Sequence, residues 1–215
     1  KMEKKIRKVL MIIYIVAIIS MISASTFAYF TYLQVSNVSS KIDSSSAKIN
    51  DLILFDIENN IDINANEENF GQNMASLVQD VGASATLITE EVKDVTYKYN
   101  LFLDINKNTF DYTTDAKNAE VVLSVISPDG KEVTEIDGLN YISVTDAKGT
   151  VIKGFDITNA TGRFFLAKAY EIRSNNNLNT VHNWNVQVTF VNFVTEQNEN
   201  VGKEIRGNLK IEQTM

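Results

Sequence analysis

Residues 183–194 read NWNVQVTFVNFV. In an extended chain successive side chains point to opposite faces, so Trp184, Val186, Val188 and Phe190 share one face, with Asn185, Gln187 and Thr189 on the other. That is the signature of a strand buried on one side. Outward from it the same alternation recurs. KEIRGNLKI (203–211) sets Ile205, Leu209 and Ile211 on one side, and TYKYNLFLDI (96–105) does so with Tyr97, Tyr99, Leu101, Leu103 and Ile105. EVVLSVI (120–126), LNYISVT (139–145), VIKGFDIT (151–158) and RFFLAKAYEI (163–172) complete the set, with turns at Ser127-Pro128-Asp129-Gly130 and at DAKG (146–149). No amphipathic helical run separates them, as a parallel α/β fold requires. The pattern predicts a mainly β domain over 84–215, an antiparallel β-sandwich of jelly-roll or immunoglobulin-like type. Trp184, Phe190, Phe164 and Tyr170 are expected in its core.

The chain has 215 residues, 44% hydrophobic and 22% charged, enough for one domain and a tail. It has no Cys and a single His, which excludes a disulfide scaffold, a thiol nucleophile and a two-His metal site within one chain. His182, beside Trp184 at a strand start, reads as a loop histidine. A net charge of −7 argues against a nucleic-acid partner. No HExxH, GxSxG, GxGxxG or P-loop string occurs, so an enzyme is not expected.

The N-terminal 30 residues differ in kind. Lys1, Lys4, Lys5, Arg7 and Lys8 face one acid, Glu3, and no charge follows between Val9 and Ser40. The apolar run carries Val9, Ile13, Val16, Ile19 and Ile22 and ends in aromatics that include Phe27 and Phe30. It is long enough to span a bilayer, with the basic end inside and the acidic bulk outside. The same pattern suits a secretory signal with a cut after Ala28, or after Ser25. The expected location is therefore the cell surface or the extracellular space, as a single-pass protein with its N-terminus inside or as a secreted one. Membrane contact would run through this segment alone.

Residues 31–83 read as a connector. Val35, Val38, Ile42, Ser45, Ile49, Leu52 and Asp56 alternate spacings of three and four, which fits a helical stalk as well as a Ser-rich linker. Within it DLILFDI (51–57) is strand-like and NNIDINANEENFGQN (59–73) reads as loop. DINKNTFDYTTD (104–115) offers a candidate calcium loop, with Asp104, Asn106, Asn108 and Asp115 at ligand-like spacings but Thr109 where the tight turn wants Gly. Calcium is the one cofactor the residues suggest.

The string SASTFAYFT (23–31) resembles the N-termini of the TasA/camelysin family of Firmicute surface proteins. GFDIT (154–158), YEI (170–172) and WNVQVTFVNFVTEQNENVGKEIRGNLKI (184–211) are similar to a recurrent exported β-domain of low-GC Gram-positive bacteria. The TasA resemblance implies a jelly-roll-like sandwich that assembles into extracellular fibres, donating an N-terminal strand to the next subunit. The candidate donor lies in DLILFDI, with Leu52, Leu54 and Ile57. The metalloprotease activity attached to camelysins is not carried over, because the chain has one His and no HExxH. The expected role is a non-enzymatic structural subunit of a fibre, matrix or surface assembly, its partner a second copy of itself. A membrane-tethered module for carbohydrate or a calcium-bridged ligand is the alternative.

Overall fold

The computed structural model describes residues 51–67, 70, 74–113 and 118–214. The span residues Val9 to Phe30, the cut at Ala28 and the stalk pattern before Asp51 lie outside the described residues, as does Asp115.

Ten strands follow in order: β1 (Asp51–Glu58), β2 (Ile61–Asn64), β3 (Leu77–Thr89), β4 (Thr96–Asn108), β5 (Val121–Ile126), β6 (Tyr141–Thr145), β7 (Val151–Asp156), β8 (Gly162–Arg173), β9 (Asn179–Phe190) and β10 (Glu204–Thr214). They form two sheets, ordered β1-β3-β9-β5-β7-β6 and β2-β10-β4-β8, with antiparallel pairing throughout. The fold is an antiparallel β-sandwich, as the alternation predicts. Apart from β5 to β6 and the β6–β7 hairpin, consecutive described strands change sheets, so the two layers are stitched together by the chain itself.

The inward faces are those read from the sequence. Trp184, Val186, Val188 and Phe190 of β9 are buried, as are Tyr99, Leu101, Leu103 and Ile105 of β4 and Ile205, Leu209 and Ile211 of β10. Phe164 and Tyr170 are half-buried against this core. A smaller cluster of Ala119, Val122, Val191 and Phe193 sits apart from it. Gly154 in β7 has φ +155°, and a Cβ there would lie 2.3 Å from the Leu123 carbonyl oxygen, so only glycine allows β7 this close to β5.

Two expectations are corrected. The sandwich begins at Asp51 and not at residue 84, because β1, β2 and β3 are built into its sheets. Residues 61–64, read as loop, form β2: Ile61 and Ile63 point into the core while Asp62 and Asn64 face out. Polar composition hid a two-residue alternation.

Strand β3, LVQDVGASATLIT, is poor in large residues for a physical reason. Ala83 lies opposite Trp184, and Ala85 lies between Phe55 of β1 and His182 of β9. Residues directly opposite in a ladder share a face at about 5 Å, so small residues here make room for large neighbours. Ala85→Leu should therefore destabilise the domain by about 1–3 kcal/mol through overpacking, while Thr86→Leu on the other face should stay within about 0.5 kcal/mol. Urea unfolding of the two variants measures the difference.

Candidate functional site

Two sheets have four edges: β1 and β6 in the larger, β2 and β8 in the smaller. An edge strand presents unpaired backbone donors and acceptors, and proteins blunt it with brevity, bulges or charge. β2 and β6 are short. β8 carries Arg163, Lys168 and Arg173, has Ala169 at φ +49°, and shifts register against β4 near Tyr99–Phe102. β1 carries charge only at its ends, at Asp51, Asp56 and Glu58, and is neither short nor bulged. Its eight residues pair with β3 without a break, from Asp51 opposite Thr89 to Glu58 opposite Gly82, and its centre, LILF, is uncharged.

β1 is also shallowly embedded. Ile53, Phe55 and Ile57 are half-buried, and no residue of the strand is fully buried. Its outward face carries Leu52 and Leu54, both exposed. The register continues that face across the sheet: Leu52 lies opposite Ile88, and Leu54 opposite Thr86, which lies opposite Val181. Leu52, Leu54, Ile88 and Val181 thus form an exposed apolar patch at the free edge, giving way to Asp56 and Glu58 at the far end of β1. A shallow depression of about 290 Å³ lies at that acidic end, lined by Glu58, Gly82, Ser84 and Asn183.

The two ends of β1 are held differently. At the start, Asp51 accepts a hydrogen bond from the Tyr97 hydroxyl (2.9 Å) and pairs with Lys93 (2.8 Å). The Lys93 ammonium, with help from Tyr97 and against the cost of burial, holds the Asp51 carboxyl below its ordinary range. Lys93 is raised in turn by Asp51, and Tyr97 is raised by burial and then by Asp51. The Lys93 backbone is fixed by buried Ser174, whose hydroxyl donates to the Lys93 carbonyl (2.5 Å) and accepts from the Val95 amide (3.0 Å). At the other end the chain turns through Asn59, at φ +65°, and Asn60 into β2. Gln79 of β3 grips the chain just past Asn59, donating to the Asn60 carbonyl (2.7 Å) and accepting from the Asp62 amide (2.8 Å).

Of the predicted donor residues, Leu52 and Leu54 point outward and Ile57 inward. Tyr97 is read from the sequence only as part of the alternating face of 96–105, Lys93 is not read at all, and nothing local to Asp51 marks either as its partner.

The described candidate ligands of the calcium loop lie in a strand. Asp104, Asn106 and Asn108 belong to β4 and not to a loop. The ladder with β10 shifts register at Asn106, so Asp104 lies opposite Asn208 while Asn108 lies opposite buried Ile205, and the two side chains leave β4 on different faces. Each is already engaged. Asp104 takes a two-pronged contact from Arg163 (2.6 and 2.7 Å), and Asn106 donates to Asn208 (3.0 Å). Asn108 donates to the carbonyls of Ile157, Thr158 and Ala160. Among the described residues no three His, Asp or Glu side chains are grouped to hold a metal.

His182 is likewise not a loop residue. It lies in β9 on the core side, where its Nδ1 sits 3.0 Å from the Tyr99 hydroxyl, and Trp184 Nε1 donates to the same oxygen at 2.9 Å. With its own proton the hydroxyl donates to a neutral His182, so both lone hydrogen-bonding functions are used. Tyr170 closes the group edge-on to Trp184 and to His182. No protein-family model matches the chain, and no curated protein matches it either.

Burial lowers the His182 pKa from its ordinary 6.5, with Asp129 opposing weakly. A depressed folded-state pKa means the neutral form is favoured by folding. The stability this gives is complete above 6.5 and is lost as pH falls from there through the folded value. Urea unfolding should show stability declining as pH falls below about 6.5, and His182→Gln should flatten that decline. An unchanged slope in the variant would assign it to other groups.

Proposed function

We propose that this chain is a non-enzymatic extracellular surface protein, a structural subunit of a fibre, matrix or surface assembly that self-associates through β1. The observation that carries this reading is the character of β1: an edge strand among the described residues with an uncharged centre, an uninterrupted ladder with β3, and no fully buried side chain. Such a strand can leave its own sheet and make the same ladder on the β3 of a second copy. The main-chain hydrogen bonds supply affinity, and the alternation of Ile53, Phe55 and Ile57 supplies register.

Supporting points come from the sequence. The basic flank and uncharged apolar run suit export or anchoring, and a domain without Cys can be exported with no oxidative folding step. The apolar patch of Leu52, Leu54, Ile88 and Val181 remains on the outer face after strand exchange and is available for lateral contact between neighbours.

Leu54 and Thr86 stand opposite one another on the exposed side of the β1–β3 ladder, and the chain has no other cysteine to interfere. The full chain carrying Leu54→Cys and Thr86→Cys should stay monomeric when oxidised and assemble when reduced, in step with wild type, by sedimentation velocity and electron microscopy. Assembly of the oxidised form at the wild-type rate, or a wild-type chain that remains monomeric at high concentration, refutes the reading.

A further inference from the structure

We propose that Asp51, Lys93 and Tyr97 form a latch that holds β1 on its own sheet, with Asn59 as the hinge, so that opening the latch governs when β1 passes to a second copy of the chain. The inference rests on the reading of β1 as the assembling strand, and adds what controls it.

Three observations converge. First, β1 is held by a half-buried face and one ladder, so a contact at its Asp51 end governs a large share of what keeps it in place. The Asp51 side chain is 9% exposed, and its two partners come from different places: Lys93 from the β3–β4 turn and Tyr97 from β4 of the opposite sheet. The latch therefore ties the end of β1 across the sandwich, which its ladder with β3 does not do. A charge-assisted contact shielded from water is stronger than an exposed ion pair.

Second, the hold is positioned by the fold behind it. Ser174, fully buried, fixes the backbone of Lys93 and Val95 from both sides. Lys93 is thus presented to Asp51 from a rigid seat, so little ordering is required when the pair forms.

Third, the opposite end of β1 is built to turn while the chain beyond it stays put. Asn59 takes the left-handed conformation that Asn tolerates, and leaves it without steric penalty for an extended one. Gln79 clamps Asn60 and Asp62 immediately afterwards, and Ile61 and Ile63 anchor β2 in the core. A rotation at Asn59 would thus swing β1 out without moving β2. Short hinges of this kind are where strands are exchanged between copies.

The test uses the full chain with Asp51→Asn, Lys93→Met and Tyr97→Phe. Each removes one part of the latch and leaves the β1–β3 ladder and the hinge untouched. Backbone hydrogen exchange is followed in β1 and, as reference, in β9 and β10, alongside assembly by sedimentation. The expected result is exchange in β1 faster by about ten-fold or more in Asp51→Asn and Lys93→Met, with β9 and β10 unchanged. Assembly should then begin sooner than in wild type. Unaltered β1 exchange in both variants overturns the latch, whatever the chain does in assembly. Faster β1 exchange with unchanged assembly kinetics, in a chain that does assemble, overturns its control of strand release. Faster β1 exchange in a chain that never assembles, wild type included, refutes the self-assembly reading, and the regulatory proposal falls with it. A variant whose β9 and β10 amides also speed up has lost global stability, and Tyr97→Phe, which keeps the ring and removes only the hydroxyl, then decides by the same criteria.

Discussion

The hydroxyl of Tyr99 joins the two sheets at their wide aromatic end. It belongs to β4 of the smaller sheet, and both of its partners, His182 and Trp184, stand on β9 of the larger. A buried hydroxyl without a partner would cost about 1–3 kcal/mol, so this group is tolerated only while β4 and β9 keep one relative position. Sliding either strand by one residue would turn its side chains to the other face and orphan three polar groups at once. The rest of the core cluster is apolar packing, aliphatic side chains with Phe110, Phe155 and Phe190 among them, and is far less directional. The Tyr99 node supplies the direction, and Phe55 and Tyr170 lean on its ring.

A second polar node does the same for the loops. Glu120, completely buried, accepts from the Thr113 amide (2.9 Å), from Gln197 (2.8 Å) and from Asn200 (2.6 Å). Gln197 also caps the Phe193 amide and the Val191 carbonyl, and Asn200 makes paired contacts with the Asp111 backbone. Among the described residues the Glu120 side chain is met by neutral donors, which satisfy its buried oxygens. The connections before β5 and after β9 are fixed to one another through it. With no disulfide to restrain them, the long connections depend on such side-chain amides.

How far the sequence disclosed this depends on what each residue answers to. β4, β9 and β10 were legible because their inward residues are large and their outward ones polar, so hydrophobic period and structure coincide. β3 was opaque because Ala83 and Ala85 are small for the sake of Trp184, Phe55 and His182, neighbours that only the fold supplies. β2 was opaque because two isoleucines in an Asn- and Asp-rich stretch look like chance. The strand character of DLILFDI could be read locally, but its latch could not: Tyr97 lies 46 positions away. The calcium spacing misled for a related reason. Alternate acids and amides suit a loop that curls around an ion, and they occur equally along a strand, where the bulge at Asn106 sends Asp104 and Asn108 to different faces.

The energetics of strand exchange decide what kind of assembly this fold can support. β1 on a neighbouring β3 makes the same ladder that it makes at home, so exchange gains almost nothing in contacts. At home β1 is joined to its acceptor β3 by the 18 residues 59–76, β2 among them, so the intramolecular pairing enjoys a high effective concentration. A dilute chain therefore keeps its own strand. On the proposed reading, crowding of copies together with release of the Asp51 end would be needed to tip the balance outward. The net charge of −7 works in the same sense, since acidic copies repel at low ionic strength and approach as salt screens them. Strand exchange on this fold would therefore be a process of concentrated copies and not of the dilute chain.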